Sequence, residues 1–195
     1  KATGESFIYL KDFGFGQESA AQLVRNVATG EVVIRKVVKN LCYRKNYESP
    51  EPFRPVKPKE IEILEKVQTW PDMPGVPRYL SECYSHEYIK VKETRFRGVG
   101  PLYRSVGMWR LCNGGSIFDA TDFDSNADRD NYATLLPLVG WARYVWQIVG
   151  TLHFLGHGNP EGIPLTHRDC HPGNIFIHWN DDDTLLPDFI LGDFG

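Results

Sequence analysis

Between positions 167 and 195 the chain reads His167-Arg168-Asp169-Cys170-His171-Pro172-Gly173-Asn174 and, further on, Asp193-Phe194-Gly195. Moving a phosphoryl group asks little covalent work of a protein. It asks for magnesium ligands, phosphate-binding donors and a carboxylate placed on the attacking hydroxyl. This stretch holds carboxylate and carboxamide groups suited to that chemistry. Upstream, Gly14-Phe15-Gly16-Gln17-Glu18-Ser19 offers backbone N–H groups that could close over phosphates. Lys36, twenty residues beyond Gly16 (36 minus 16), offers a cation.

These groups need elements to hold them. Apolar and polar residues alternate through Phe7-Ile8-Tyr9-Leu10, Gln22 to Val27 and Val32 to Val38, with glycine-containing breaks, which predicts three antiparallel strands. The alternation puts Ile34 and Lys36 on one face and Arg35 on the other. Pro50, Pro52, Pro55 and Pro58 make residues 40–58 a loop or insertion. Residues 59–68 place Ile63, Leu64 and Val67 on one side of a short helix that starts after Pro58. Strand-like runs follow over 78–91 and 102–111, and Asn113-Gly114-Gly115 then breaks the pattern. From Tyr132 to Leu155, apolar residues recur at the three-and-four spacing of a largely buried helix, with Trp141, Tyr144, Trp146 and Phe154 read as core packing. Two short strands, Ile175 to Trp179 and Phe189 to Leu191, bracket an acidic turn at Asp181-Asp182-Asp183.

Composition narrows the class. With 195 residues and 42% apolar content the chain can build a core, and a net charge of −3 with interleaved signs gives no basic stripe for nucleic acid or an anionic membrane. No apolar run reaches the roughly 20 residues that span a bilayer, and the first ten residues lack the pattern of a signal peptide. Cys42, Cys83, Cys112 and Cys170 are scattered with no CxxC pair, which fits reduced thiols in a cytoplasmic or nuclear protein.

The run from His167 to Asn174 resembles the catalytic loop of eukaryotic-type protein kinases, and Asp193-Phe194-Gly195 resembles their magnesium motif. Seven of these residues, His167, Arg168, Asp169, Asn174, Asp193, Phe194 and Gly195, would arise in this order by accident in on the order of one chain in 10^5. The resemblance implies that Asp169 accepts the substrate hydroxyl proton, and that Asn174 and Asp193 hold the magnesium ions on ATP. His167 and Arg168 would support them. His171 stands where serine/threonine kinases carry a lysine that steadies the transferred phosphate, so weaker phosphate stabilisation is expected. Gly14 and Gly16 would belong to the glycine-rich loop, with Ser19 in place of its third glycine. Lys36 would be the phosphate-binding lysine, and Glu60, rather than Glu62, its ion-pair partner.

The same resemblance places a hinge at Met108 to Ser116, where Arg110 and Cys112 would bind adenine through the main chain. Ala21 and Ile34 would form the roof of that pocket and Phe176 its floor. Trp109 would sit at the gatekeeper position, beside Ile34; crowding of ~1–3 kcal/mol would weaken ATP binding roughly 5- to 150-fold.

The expected fold is therefore α+β and two-lobed, with residues 1–112 as an antiparallel-sheet lobe carrying one helix and residues 113–195 as part of a helical lobe. The expected activity is ATP- and Mg2+-dependent phosphorylation of serine or threonine in a protein substrate, because the catalytic loop lacks the alanine-arginine pair of tyrosine kinases. A pseudokinase and an aminoglycoside-type small-molecule phosphotransferase are the alternatives. The spelling is also similar to divergent fungal kinase-like proteins. The resemblance stops at Asp-Phe-Gly, which implies that the activation segment and substrate-docking helices lie outside this sequence and that the long helix exposes apolar surface.

Overall fold

A computed structural model describes residues 6–15, 19–38, 44–45, 53–54, 57–90, 103–121, 137–180 and 186–194. It is α+β, and the chain divides into two compact units.

The first unit comprises Lys1–Glu62 and Glu82–Leu111. Strands β1 (Phe7–Phe15), β2 (Ser19–Asn26), β3 (Val32–Val38), β6 (Cys83–Lys90) and β7 (Tyr103–Arg110) form an antiparallel sheet in the order β1-β2-β3-β7-β6. The three expected amino-terminal strands are present, and β1 runs on to Phe15 by way of register shifts between Tyr9 and Lys11 and between Asp12 and Gly14. The turn from β2 to β3 is closed by the Asn26 side chain, which accepts from the Ala28 and Thr29 N–H groups, and by Gly30 at φ 77°. Within the proline-rich stretch, Arg44–Lys45 (β4) and Phe53–Arg54 (β5) pair as a two-residue ladder, an element that the prolines did not announce.

Helix α1 spans Lys59–Gln68, as the sequence predicts. Pro58 supplies the carbonyl for the first helical N–H, from Glu62, and Glu60 and Glu62 in the first turn complement the positive end of the helix. Its buried residues are Ile61, Leu64 and Val67; Ile63, expected on that face, is only half-buried. Leu64 and Val67 are buried as expected, and Ile61 rather than Ile63 completes the face.

The second unit comprises Ile63–Ser81 and Cys112–Gly195. The division therefore falls one residue earlier than expected near 112, and it sends residues 63–81 to the second unit. The strand expected over 78–91 begins only at Cys83. The residues before it make a different pairing: Leu191 donates to the Tyr79 carbonyl (2.9 Å), and Ser81 donates back to the Leu191 carbonyl (2.8 Å). Leu191 belongs to β9 (Asp188–Leu191), which pairs with β8 (Ile175–His178); the acidic turn between these strands lies outside the described residues.

A short helix, α2 (Ile117–Thr121), precedes the long helix α3 (Leu138–His157). Described helix begins after Pro137 rather than at Tyr132, and residues 131–136 lie outside the described residues. Gly158 ends it, its N–H donating to the Phe154 carbonyl at 2.7 Å. One face buries Gln147, Ile148, Thr151, Phe154 and Leu155. The other does not conform to a largely buried helix: Leu138, Val149 and Trp146 are 86%, 60% and 54% exposed. Of the four aromatics read as core, Phe154 is buried and Tyr144 packs edge-on against Phe189 (5.2 Å), whereas Trp141 and Trp146 are exposed. No helix among the described residues is long and apolar enough to cross a membrane.

Candidate functional site

In the first unit, register sets the neighbourhood of Lys36. One row crosses the sheet from Gly14 through Ala21, Lys36 and Gly107 to His86, so two small residues flank the lysine. Lys36 Nζ lies 2.8 Å from Glu60 Oε2, and both side chains are mostly withdrawn from water, at 20% and 14% exposure. Glu62 lies 3.7 Å from exposed Lys59 instead. The 200° of helical rotation between positions 60 and 62 separates the two carboxylates as expected.

Trp109 is buried and is the Cα partner of Ile34 on the neighbouring strand. Its indole has room because residue 107 is glycine: a Cβ there would meet Trp109 Nε1 at 2.6 Å. Lys36 Nζ lies 5.6 Å from the centre of that ring, close enough for a cation–π contact. Gly107 is thus part of the site, and the sequence reading missed it. The only signal was a glycine inside a strand, two residues before a tryptophan. Gly14 lies in β1, and Gly16 lies outside the described residues. Arg110 ends β7 with its N–H on the Glu82 carbonyl at 2.9 Å, so that N–H is already spent within the sheet.

In the second unit, His167 is buried. Its Nε2 pairs with the Gly192 carbonyl at 2.9 Å, and its ring stacks at a tilt on Phe194, 4.5 Å between centres. Burial pulls the His167 pKa down, against the opposing effects of that carbonyl, Asp169 and Asp193, so the neutral ring is favoured. Arg168 follows in the left-handed region at φ 68°. Asp169 is then held by Asn174, whose Nδ2 donates to its main-chain carbonyl at 3.0 Å and to Oδ2 at 3.1 Å.

His171 caps the short 3-10 turn Pro172–Asn174: its Nδ1 accepts from the Gly173 N–H at 3.1 Å, and its Nε2 faces Asp169 Oδ2 at 3.7 Å. Cys170 is exposed, and burial of its thiol group followed by the Asp169 charge raises its pKa, so it is not an activated nucleophile. The loop is joined to the second motif by main chain, because Gly192 donates to the Asn174 carbonyl at 3.0 Å. Asp193 follows, exposed and left-handed at φ 61°. Gly192 has no room for a side chain; a Cβ would meet Phe176 Cε2 at 2.9 Å and Ser81 at 3.2 Å. Phe176 is half-buried in β8, and Cys112 accepts from the Gly115 N–H at 3.4 Å.

Asp169, His171, Asn174 and Asp193 therefore come together in the second unit, and Lys36, Glu60, Ala21, Ile34 and Trp109 in the first. No protein-family model and no curated protein matches this chain.

Proposed function

We propose that this chain carries the nucleotide-binding and catalytic residues of a protein kinase, transferring the γ-phosphoryl group of ATP to a serine or threonine hydroxyl of a protein. The observation that carries this reading is the linkage of Asp169 to Asp193. Asn174 clamps the Asp169 carboxylate, its own carbonyl takes the Gly192 N–H, and His167 takes the Gly192 carbonyl. Two non-glycine residues in the left-handed region, Arg168 and Asp193, flank this linkage. Such strain costs of the order of 1 kcal/mol or more and gathers at functional sites.

Asp169 would accept the hydroxyl proton through Oδ1, while Oδ2 is occupied by Asn174. The donor set fits magnesium: Asn174 spends its amide nitrogen on Asp169, which leaves its amide oxygen, and Asp193 offers an exposed carboxylate, both hard oxygen ligands. Magnesium would neutralise charge on the nucleotide phosphates. Lys36, oriented by Glu60, would contact phosphate oxygens. His171 stands where the lysine of that family would, which favours weaker phosphate stabilisation; its Nδ1 accepts from the Gly173 N–H and its Nε2 faces Asp169 Oδ2 at 3.7 Å.

The test is transfer of labelled phosphate from Mg-ATP to a mixed protein substrate, with an aminoglycoside acceptor in parallel. Transfer to serine or threonine, lost in folded Asp169→Asn and Asp193→Ala variants, is expected. Transfer to the aminoglycoside alone would reassign the chain to small-molecule phosphotransferases. A Mg-ATP-dependent rise in melting temperature with no transfer to either would make it a pseudokinase.

A further inference from the structure

The face of the five-stranded sheet opposite Lys36 holds a cavity of about 450 Å³, within the range of small-molecule sites. It lies wholly in the first unit. Its floor is apolar: Val24 and Val106 are buried, and Met108 is half-buried between Arg35 and Ser85 on one register row. Tyr9 closes the opposite end of the cavity, two strands away from Arg35, and is half exposed.

Arg35 sets the chemistry. Residues 12, 22 and 35 share one register row, and their side chains form a chain of bonds along it. Arg35 Nη1 donates to Gln22 Oε1 (3.0 Å), Gln22 Nε2 to Asp12 Oδ1 (3.2 Å), and Tyr9 Oη to Asp12 Oδ2 (2.8 Å). The chain fixes Tyr9 and Arg35 against the cavity and uses one of the five guanidinium N–H donors. Arg35 is half-buried and has no ion-pair partner among the described residues, in contrast to Lys36 beside it. A partly desolvated guanidinium with donors to spare calls for a carboxylate, which it binds in bidentate fashion. On the far rim, two strand spacings or roughly 10 Å away, the exposed Glu87 and Ser85 offer acceptors.

We infer that this face binds an aromatic carboxylate. The acid lies on Arg35, the ring lies over Met108 and Val106 on the neighbouring strand, and an N–H or O–H on the far side of the ring faces Glu87. The site is separate from the Lys36 face and does not rest on the kinase reading.

The test is a titration of the full chain with 4-hydroxyphenylacetate, followed by amide chemical shifts. Ordinary ligand efficiency for a molecule this small puts half-saturation near about 5 mM or below. Expected shifts centre on Gln22, Arg35, Val106, Met108 and Glu87. The neutral 4-hydroxyphenylacetamide, and the acid on an Arg35→Gln variant, should each bind at least tenfold more weakly, and Lys36→Ala should bind the acid unchanged. Equal binding of acid and amide to the unaltered protein, or no saturable shift by about 20 mM, would overturn the proposal. The acid–amide comparison stands even if Arg35→Gln fails to fold.

Discussion

Asn174 holds Asp169 at two points, the main-chain carbonyl and the carboxylate, with one amide nitrogen. The buried amide makes both contacts from the short turn that His171 caps. Replacing Asn174 with alanine removes the donor from both acceptors of Asp169, whose side chain is 61% exposed and can turn to water instead. Urea unfolding should show a loss of about 0.5–1.5 kcal/mol. Asp169→Asn keeps the shape and should cost under about 1 kcal/mol, and on the proposed function the phosphoryl transfer assayed with Mg-ATP should fall by about 10^2–10^4.

The Lys36–Glu60 pair is shielded enough to exceed an ordinary surface ion pair. A double-mutant cycle with Lys36→Met and Glu60→Gln should give a coupling of about 1–2 kcal/mol, reduced only in part by 1 M NaCl because the pair is incompletely exposed. A coupling near zero would place both side chains in solvent.

Asp188 makes acid stability measurable. Burial alone would raise its pKa, but hydrogen bonds from Asn180, Arg143 and Gln147 and the charge of Arg143 outweigh burial and hold it below the ordinary carboxylate value. A depressed folded pKa contributes stability that is present above the unfolded value, near ~4, and lost as pH falls through the folded one. Unfolding free energy should therefore drop below about pH 4, and an Asp188→Asn variant should start less stable at pH 7 and show a shallower drop.

Gly192→Ala forces a methyl group against the Phe176 ring and Ser81. Overpacking there should cost about 1–3 kcal/mol. Because the N–H of Gly192 itself holds the Asn174 carbonyl, the magnesium-nucleotide binding of the proposed function should weaken with it, as read by isothermal titration.

On the exposed face of α3, Trp146→Gln and Val149→Lys remove apolar surface without removing core contacts. Each should change stability by less than about 0.5 kcal/mol, and together they should lower the binding of a hydrophobic dye.

Much of the sheet unit could be read from the chain because its signals are local. Alternation over 7–38 and the proline before Lys59 define strands and a helix with near neighbours alone, and Glu60 was separable from Glu62 by helical rotation. What could not be read depends on distant partners. Tyr79 to Ser81 look like the start of a strand, yet they bond to Leu191, more than a hundred residues away. Trp146 has the spacing of a core residue and is exposed, since periodicity marks a face but not what covers it. Gly107 needed its cross-strand setting to be recognised, as did the Asp12–Gln22–Arg35 row.

The strand order β1-β2-β3-β7-β6 bears on how the chain is made. Of the five strands, β6 is synthesised fourth and β7 last, yet β7 lies between β3 and β6. On a ribosome, β3 therefore presents an open edge and β6 has no place in the sheet until Tyr103–Arg110 has emerged. During that interval both strands offer unpaired backbone groups to other nascent chains. A pause in translation just before residue 103 would lengthen the exposure, and a chaperone acting on this protein would be needed there first.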